Sequence, residues 1–175
     1  MRERLRDKNL RSTWEPVARD CVSDPDLIPV LLDLCVDPEL PVQKNAGAVV
    51  GKIIDLDREV LVPHLPKLLA NLKVNPHDAV KRGTMRVFET IEIPEEVEGE
   101  VFDAAMRFLS DYDEALAIRG YAMTAAGRLC ERYPSLRHEV LPVVEDVIQQ
   151  DAPRSIKTRA KRELKRLEAL VDVED

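Results

Sequence analysis

The strongest constraint on this chain is a repeat of 38 residues that continues without a gap through most of its length. Shifting the sequence by 38 residues aligns four segments, which begin DPELPVQKN, NPHDAVKRG, DEALAIRGY and DAPRSIKTR. In each segment an Asp or Asn comes first, an aliphatic residue follows five positions later, and Ala or Thr follows four positions after that. A chain with such a register builds the same structural unit several times.

Each repeat contains the pattern of two α-helices. In the aligned segments the apolar positions fall at offsets 0, 4, 8 and 11 from Val42 or its equivalent, which is one face of an α-helix. A second apolar-periodic stretch precedes each segment, for example LVPHLPKLLANL and VLPVVEDVIQQ. We call the preceding stretch helix A and the aligned segment helix B. The sequence therefore predicts four helix pairs of about 38 residues over residues 26–170.

Stacking of these pairs gives the predicted fold class. A single pair cannot bury its apolar face, whereas stacked neighbours can, so we predict an all-α, right-handed α-α superhelix. Only 4% of the residues are aromatic, so aliphatic side chains must fill the core. Five of the six glycines lie in the B helices, where each costs about 0.5–1 kcal/mol relative to Ala. We predict that they permit close approach of stacked helices, and they are Gly47, Gly51, Gly83, Gly120 and Gly127.

The two ends of the chain fall outside the register. Residues 1–25 contain apolar positions three or four residues apart, namely Leu10, Trp14, Val17 and Cys21. This spacing predicts an N-terminal helical cap on the first repeat. The last five residues, 171–175, read VDVED and form an acidic tail. We predict a single domain over residues 1–175, made of the cap, four repeats and the tail.

These columns resemble the HEAT-repeat family of armadillo-type α-solenoids. In that family an Asp in the turn and a basic residue in helix B form ladders between adjacent repeats. The matching columns here are Asp37, Asn75, Asp113 and Asp151, and Gln43, Lys81, Arg119 and Lys157. Asn75 and Gln43 depart from the pattern, so we expect an incomplete charged ladder at those two positions. The resemblance covers residues 26–170 and implies a scaffold or adaptor that binds other macromolecules.

Charge divides unequally between the two kinds of helix. The A stretches are net acidic and the B stretches net basic, and residues 154–166 alone hold seven Lys or Arg against one acid. In the family the B helices line the concave surface, so the resemblance implies a basic groove and an acidic back. Lys81, Arg119 and Lys157 are expected to pair with Asp113, Asp151 and their neighbours. The predicted partner-binding residues are Lys44, Lys52, Arg82, Arg86, Arg128, Arg162, Lys165 and Arg166.

Three interpretations of the basic face remain open. It is a solvated helical surface, a binding site for an acidic segment of another protein, or a nucleic-acid interface. The net charge of −7 and the low aromatic content argue against nucleic acid, which favours basic proteins and uses aromatic side chains for base stacking. Stacked repeats do present extended surfaces for peptides. We therefore predict a protein-binding scaffold, with nucleic acid as the alternative and the oligomeric state open.

Catalytic and metal-binding patterns are missing from the sequence. The three histidines form no HxxxH or HExxH motif, and no GxGxxG, GxxxxGK[ST] or GxSxG occurs. We predict no enzyme activity, no cofactor and no metal, although a HEAT-like enzyme stays a distant alternative. Three cysteines without a CxxC pair fit a reducing cytoplasm, and no apolar run reaches 18 residues, so we predict no membrane span. Few Asn and Gln residues hint at a thermophilic source.

Overall fold

The computed structural model describes residues 1–6 and 11–170, and for Arg11 the backbone alone. The α-helices are α1 Arg2–Arg6, α2 Arg11–Ser23, α3 Leu27–Leu34, α4 Leu40–Asp57, α5 Leu65–Leu72, α6 Asp78–Thr90, α7 Glu95–Ser110, α8 Leu116–Arg132, α9 Arg137–Gln149 and α10 Arg154–Glu168. Short 3₁₀ helices cover Arg58–His64 and Pro134–Leu136. No strand occurs in these described ranges, which confirms the all-α prediction.

The predicted A and B stretches are helices in every repeat. They form the pairs α3–α4, α5–α6, α7–α8 and α9–α10, with the 3₁₀ helix Arg58–His64 leading into α5. Proline stands in the first turn of α4 and of α5, where its missing N–H costs nothing. The predicted division of the chain into a cap, four repeats and a tail stays a prediction, and the tail 171–175 and Leu10 lie outside the described residues.

The turn before α6 explains why one repeat has Asn in the Asp column. Asn75 has a φ of 49°, the left-handed region that non-glycine residues seldom adopt. Asn tolerates this conformation better than most residues because its short polar side chain can hydrogen-bond locally. The departure from the repeat pattern at Asn75 therefore follows from backbone geometry.

The chain divides into two compact units, Met1–Val97 and Glu98–Asp175. In the first unit α2 packs against α4 and α4 packs against α6. Its core is mainly aliphatic and includes Leu31, Ile53 and Leu68, with Phe88 as the largest fully buried side chain. In the second unit α10 packs against both α8 and α9. Its core includes Leu109, Ala126, Val144, Ile156 and Leu167.

Close helix approach occurs at the crossing of α4 and α6. A Cβ atom on Gly47 would lie 2.5 Å from the backbone of Ala79 and Val80, and one on Gly83 would lie 2.8 Å from the Gly47 carbonyl oxygen. The predicted role of glycine is confirmed at these two positions. It is wrong for Gly51, where a Cβ atom would meet open space.

At Gly120 and Gly127 of the second unit the absence of a Cβ atom makes room for other side chains. A Cβ atom on Gly120 would lie 3.4 Å from the Arg159 side chain. One on Gly127 would lie 2.8 Å from Arg166 Nη2 and 2.9 Å from Glu163 Oε2. The predicted approach of stacked helices at Gly120 and Gly127 is therefore an approach of long polar side chains to a helix backbone.

Two arginines of α1 hold the first helix against the turn between α3 and α4. Arg2 donates to both Asp37 oxygens, at 2.7 and 3.0 Å, and to Glu39 at 2.8 Å. Arg6 donates to Glu39 at 2.9 and 2.5 Å. The hydrogen bond from Arg2 lowers the pKa of Asp37, and those from Arg6 and Arg2 lower the pKa of Glu39 to about 2. Asp37, the first residue of the Asp column, is thus paired with Arg2 of α1.

A buried amide joins the same N-terminal helices to α4. Asn45 donates its Nδ2 hydrogen to the Leu5 carbonyl at 2.7 Å and accepts from Trp14 Nε1 at 3.1 Å. Leu5 itself is fully buried. These contacts seat α1 and α2 on the first B helix.

We expect the contacts of Arg2 and Arg6 with Asp37 and Glu39 to weaken in acid. The pKa values of Asp37 and Glu39 lie below their ordinary 3.8 and 4.5, so the contribution to stability is present above about pH 4.5 and is lost as the pH falls toward 2. The thermal midpoint of the double variant Arg2→Ala/Arg6→Ala should lie below that of the wild type at pH 7. This gap should shrink as the pH falls through that window.

Calorimetry or circular dichroism melts at several pH values would measure the gap. Arg58→Ala is the control, because among the described residues the one ion pair of Arg58 is an exposed 3.5 Å contact with its neighbour Glu59. A gap that stayed constant between pH 7 and 3 would show that the arginine stems act through packing and that the ion pairs contribute nothing.

Candidate functional site

In the first unit the predicted binding residues divide into exposed and engaged groups. Lys44 and Arg82 are exposed, and Lys52 lies half-buried with Nζ 3.8 Å from Asp55. Arg86 donates to the Gly51 carbonyl at 3.0 Å and to Asp55 Oδ1 at 2.5 Å. Arg86 therefore braces α6 against α4.

In the second unit the predicted residues lie on α8 and α10. Lys165 is exposed, Arg128 is half-buried, and Arg162 is 66% exposed with Nη2 3.4 Å from Glu163 Oε1. Arg166 lies 3.0 Å from Glu163 Oε2 and 3.4 Å from Glu131, and it donates to the Thr124 carbonyl at 3.4 Å. The Arg166 side chain is thus held by contacts within its own chain.

Glu163, a buried acid at the seam between α8 and α10, was not among the residues predicted from the sequence. Its side chain is 2% exposed, and Oε1 accepts a 3.3 Å hydrogen bond from the Thr124 hydroxyl. Its Oε2 and the Nε of Arg166 have no hydrogen-bond partner among the described residues. Ala160 and Leu167 flank it on the buried face of the helix. The sequence did contain a signal for this residue. Glu163 stands three residues after Ala160 and four before Leu167, a spacing that places it on the buried face of the helix.

A groove lies between the first turns of α8 and α10. Its volume is about 370 Å³, and its described lining consists of Leu116, Ala117, Gly120, Tyr121, Ser155, Ile156 and Arg159. Of these residues Arg159 alone is charged. Arg159 donates to the Gly120 carbonyl at 3.3 Å and to the Thr124 hydroxyl at 2.9 Å, and it lies over the Tyr121 ring at 5.3 Å. The guanidinium group is therefore held in place on one wall of the groove.

Comparison with known families was decisive. A family described as HEAT repeat domain matches residues 1–167. The chain belongs to the HEAT-repeat family. A comparison with curated proteins and one with solved structures gave no match. The family match begins at residue 1, so it includes the N-terminal helices that lie outside the 38-residue register. The packing of α2 against α4, like that of α4 against α6, agrees with this wider match.

Two of the HEAT ladder positions, Gln43 and Arg119, bond to backbone groups. Gln43 donates to the Asp37 carbonyl at 2.6 Å and accepts from the His77 backbone N–H at 2.9 Å. Arg119 is buried, donates to the Leu109 carbonyl at 3.2 Å and lies over the Tyr112 ring. These side chains bridge turns and helix ends through backbone carbonyl and amide groups.

The remaining ladder residues have the following positions. Lys81 is buried and lies 3.0 Å from Asp78 on its own helix. Lys157 is half-buried, and Asp113 and Asp151 are exposed. The ladder between successive HEAT repeats stays a prediction.

Cysteine and histidine side chains often act in catalysis; here the three cysteines are buried and His77 caps a helix. Burial raises the pKa of the Cys21 and Cys130 thiols to about 11 and that of Cys35 to about 12, so all three are protonated at neutral pH. His77 Nδ1 caps α6 by accepting from the Ala79 N–H at 3.0 Å. HEAT-repeat proteins commonly serve as protein-interaction scaffolds and are typically non-catalytic.

Residues 1–6 and 11–170 contain neither a candidate metal-binding cluster nor a candidate membrane span. No group of three or more His, Cys, Asp or Glu side chains in these ranges is placed to hold a metal ion. No helix in the same ranges is both long and apolar enough to cross a membrane.

Proposed function

We propose that this HEAT-repeat chain is a non-catalytic adaptor that binds an acidic segment of another protein through cations of its B helices. The observation that carries the proposal is the exposed side of α10. Lys161 and Lys165 stand one turn apart there, are exposed to solvent, and form no ion pair with any described residue. Arg162 lies between them and is 66% exposed.

Charge and composition support a protein partner. A net charge of −7 opposes binding to a polyanion as long as DNA, whereas a short acidic segment meets only the local basic surface. Tyr121, the aromatic residue in the groove, already has the Arg159 guanidinium over its ring. Three buried, unpaired thiols fit a reducing compartment, and we propose the cytoplasm.

The test uses a fluorescein-labelled peptide rich in Asp and Glu, with neutral and basic peptides of the same length for comparison. We expect the wild-type protein to bind the acidic peptide at low salt and to lose affinity as salt rises. The double variant Lys161→Glu/Lys165→Glu should bind it about tenfold more weakly or worse, because like charges then face each other. Fluorescence anisotropy measures the affinities.

A matched control separates the α10 surface from net charge. Arg19→Glu/Arg58→Glu changes the charge by the same amount at exposed positions on α2 and on the 3₁₀ helix Arg58–His64. It should keep most of the wild-type affinity. Equal losses in both double variants, or tighter binding of single- or double-stranded DNA than of the acidic peptide, would contradict the proposal.

A further inference from the structure

We infer that the groove between the first turns of α8 and α10 receives a bulky apolar side chain of the acidic segment, with a carboxylate beside it. This inference rests on the proposed function and adds a specificity pocket to it. The occupant is therefore a segment in which Leu, Ile, Met or Phe stands next to Asp or Glu.

The apolar part of the occupant follows from the shape and lining of the groove. Leu116, Ala117 and Ile156 supply aliphatic walls, and Leu116 is 39% exposed although it is a large apolar residue. A volume of about 370 Å³ has ample room for one side chain, since pockets for whole small molecules begin at about 300 Å³. Covering these walls would remove apolar surface from water, which favours binding.

The carboxylate follows from the charge at the same place. Arg159 presents a fixed guanidinium group on the wall, and its contacts with Gly120, Thr124 and Tyr121 set its position before any partner arrives. A pre-positioned guanidinium loses little freedom when it binds a carboxylate. Arg154, exposed on the first turn of α10 and next in sequence to the groove residue Ser155, adds a second cation at that end of the helix.

The helix ends on both sides of the groove favour the same ligand. The N-cap residues Ala115 of α8 and Pro153 of α10 make no side-chain cap hydrogen bond. The first amide groups of a helix lack acceptors within the helix, and the helix dipole favours negative charge there. Ala117 and Ser155, in those first turns, line the groove.

The occupant has a continuous path to the cations of the proposed binding surface. Arg162 lies three residues after Arg159 on α10, so both side chains lie on neighbouring turns of one helix face. Lys161 and Lys165 follow on the exposed side. Lys165 lies about 120° and Lys161 about 160° round α10 from Arg159, so an acidic segment that leaves the groove would meet Arg162 first and the two lysines further round the helix.

The experiment compares two acidic peptides that differ at one position, Leu in one and Ala in the other. We expect the wild-type protein to bind the Leu peptide about 10- to 100-fold more tightly, as burial of a leucine side chain predicts. Ala117→Trp fills the groove from an exposed helix position. In this variant the Leu peptide should bind no better than the Ala peptide.

Two further variants complete the design. Ala70→Trp, at an exposed position on α5, is the matched control and should keep the wild-type preference for Leu. Leu116→Ser removes one apolar wall without filling the groove, so it tests the same site if Ala117→Trp does not fold. It should reduce the preference for the Leu peptide by about fivefold or more.

The possible outcomes separate the inference from the proposed function. Equal binding of the two peptides to the wild type, with a loss in Lys161→Glu/Lys165→Glu, would overturn the groove as a pocket and leave the basic surface standing. A preference for Leu that persists in both Ala117→Trp and Leu116→Ser would also overturn it. Failure of both peptides to bind the wild type at low salt would overturn the inference and the proposed function together.

Discussion

Gly47→Ala should lower the free energy of unfolding by about 3 kcal/mol or more, which is the range for severe overpacking of a core. The added Cβ atom would lie 2.5 Å from backbone atoms of Ala79 and Val80 on the neighbouring helix. A flexible side chain could turn away from such a contact, but a helix backbone can move only as a whole. Separating α4 from α6 would then loosen the surrounding core, which includes Val50. Urea denaturation would measure the loss.

Gly51→Ala is the matched control for this substitution. Gly51 lies one turn further along α4, and a Cβ atom there meets open space. Because Ala favours a helix more than Gly, this variant should be more stable than the wild type by about 0.5–1 kcal/mol. If the two substitutions had similar effects, the close crossing of α4 and α6 would not be the reason for Gly47.

Arg166→Ala should lower the free energy of unfolding by about 3 kcal/mol, the typical effect of removing one partner of a buried ion pair. Arg166 stands 3.0 Å from Glu163, whose side chain is 2% exposed. Without Arg166 the carboxylate stays buried with the Thr124 hydroxyl and the edge of Arg162 as its polar contacts. Lys165→Ala, at the adjacent exposed position, should change the same quantity by less than about 0.5 kcal/mol.

A double variant distinguishes lost charge pairing from lost packing. Glu163→Leu/Arg166→Leu removes both charges together and should recover most of the stability that Arg166→Ala loses. If the double variant were as unstable as Arg166→Ala, the arginine would act through packing of its guanidinium group at Gly127. If Arg166→Ala were as mild as Lys165→Ala, the buried carboxylate would not depend on Arg166.

The ion pair between Arg166 and Glu163 also determines which substitutions are suitable for a binding test. Reversing the charge of Arg166 would place two acids together at the seam of α8 and α10, so a loss of binding would reflect a damaged structure. Lys161 and Lys165 can be changed without that effect because no described carboxylate depends on them.

The 38-residue register predicted the helices because the apolar positions that define it are the positions that pack. Val42, Ile118 and Ile156 are all buried, as are Ala46 and Ala160. Such residues report burial directly, so their periodicity locates the helices along the chain. The N-terminal helices were harder to assign because their packing on α4 uses Leu5, Asn45 and Trp14, which repeat nowhere else in register.

The binding surface was harder to predict than the helices, because charged side chains do not contact their register equivalents. Arg86 bonds to Asp55, 31 positions away, and to the Gly51 carbonyl, 35 positions away. Arg159 reaches Thr124 across 35 positions. Long side chains span about one helical turn, so aligned columns cannot tell an engaged arginine from one that faces solvent. The groove depended on three-dimensional placement in the same way, since its walls come from α8 and α10.

The two hydrogen bonds of the Gln43 side chain provide a local probe of motion in the first unit. The His77 amide hydrogen is donated to the Gln43 side chain, which is fixed in turn by the Asp37 carbonyl. That hydrogen is protected while the Gln43 hydrogen bonds hold and can exchange with deuterium when they open. Its exchange rate therefore measures how often this link between α4 and the start of α6 opens, in the intact protein and far below the temperature at which it unfolds.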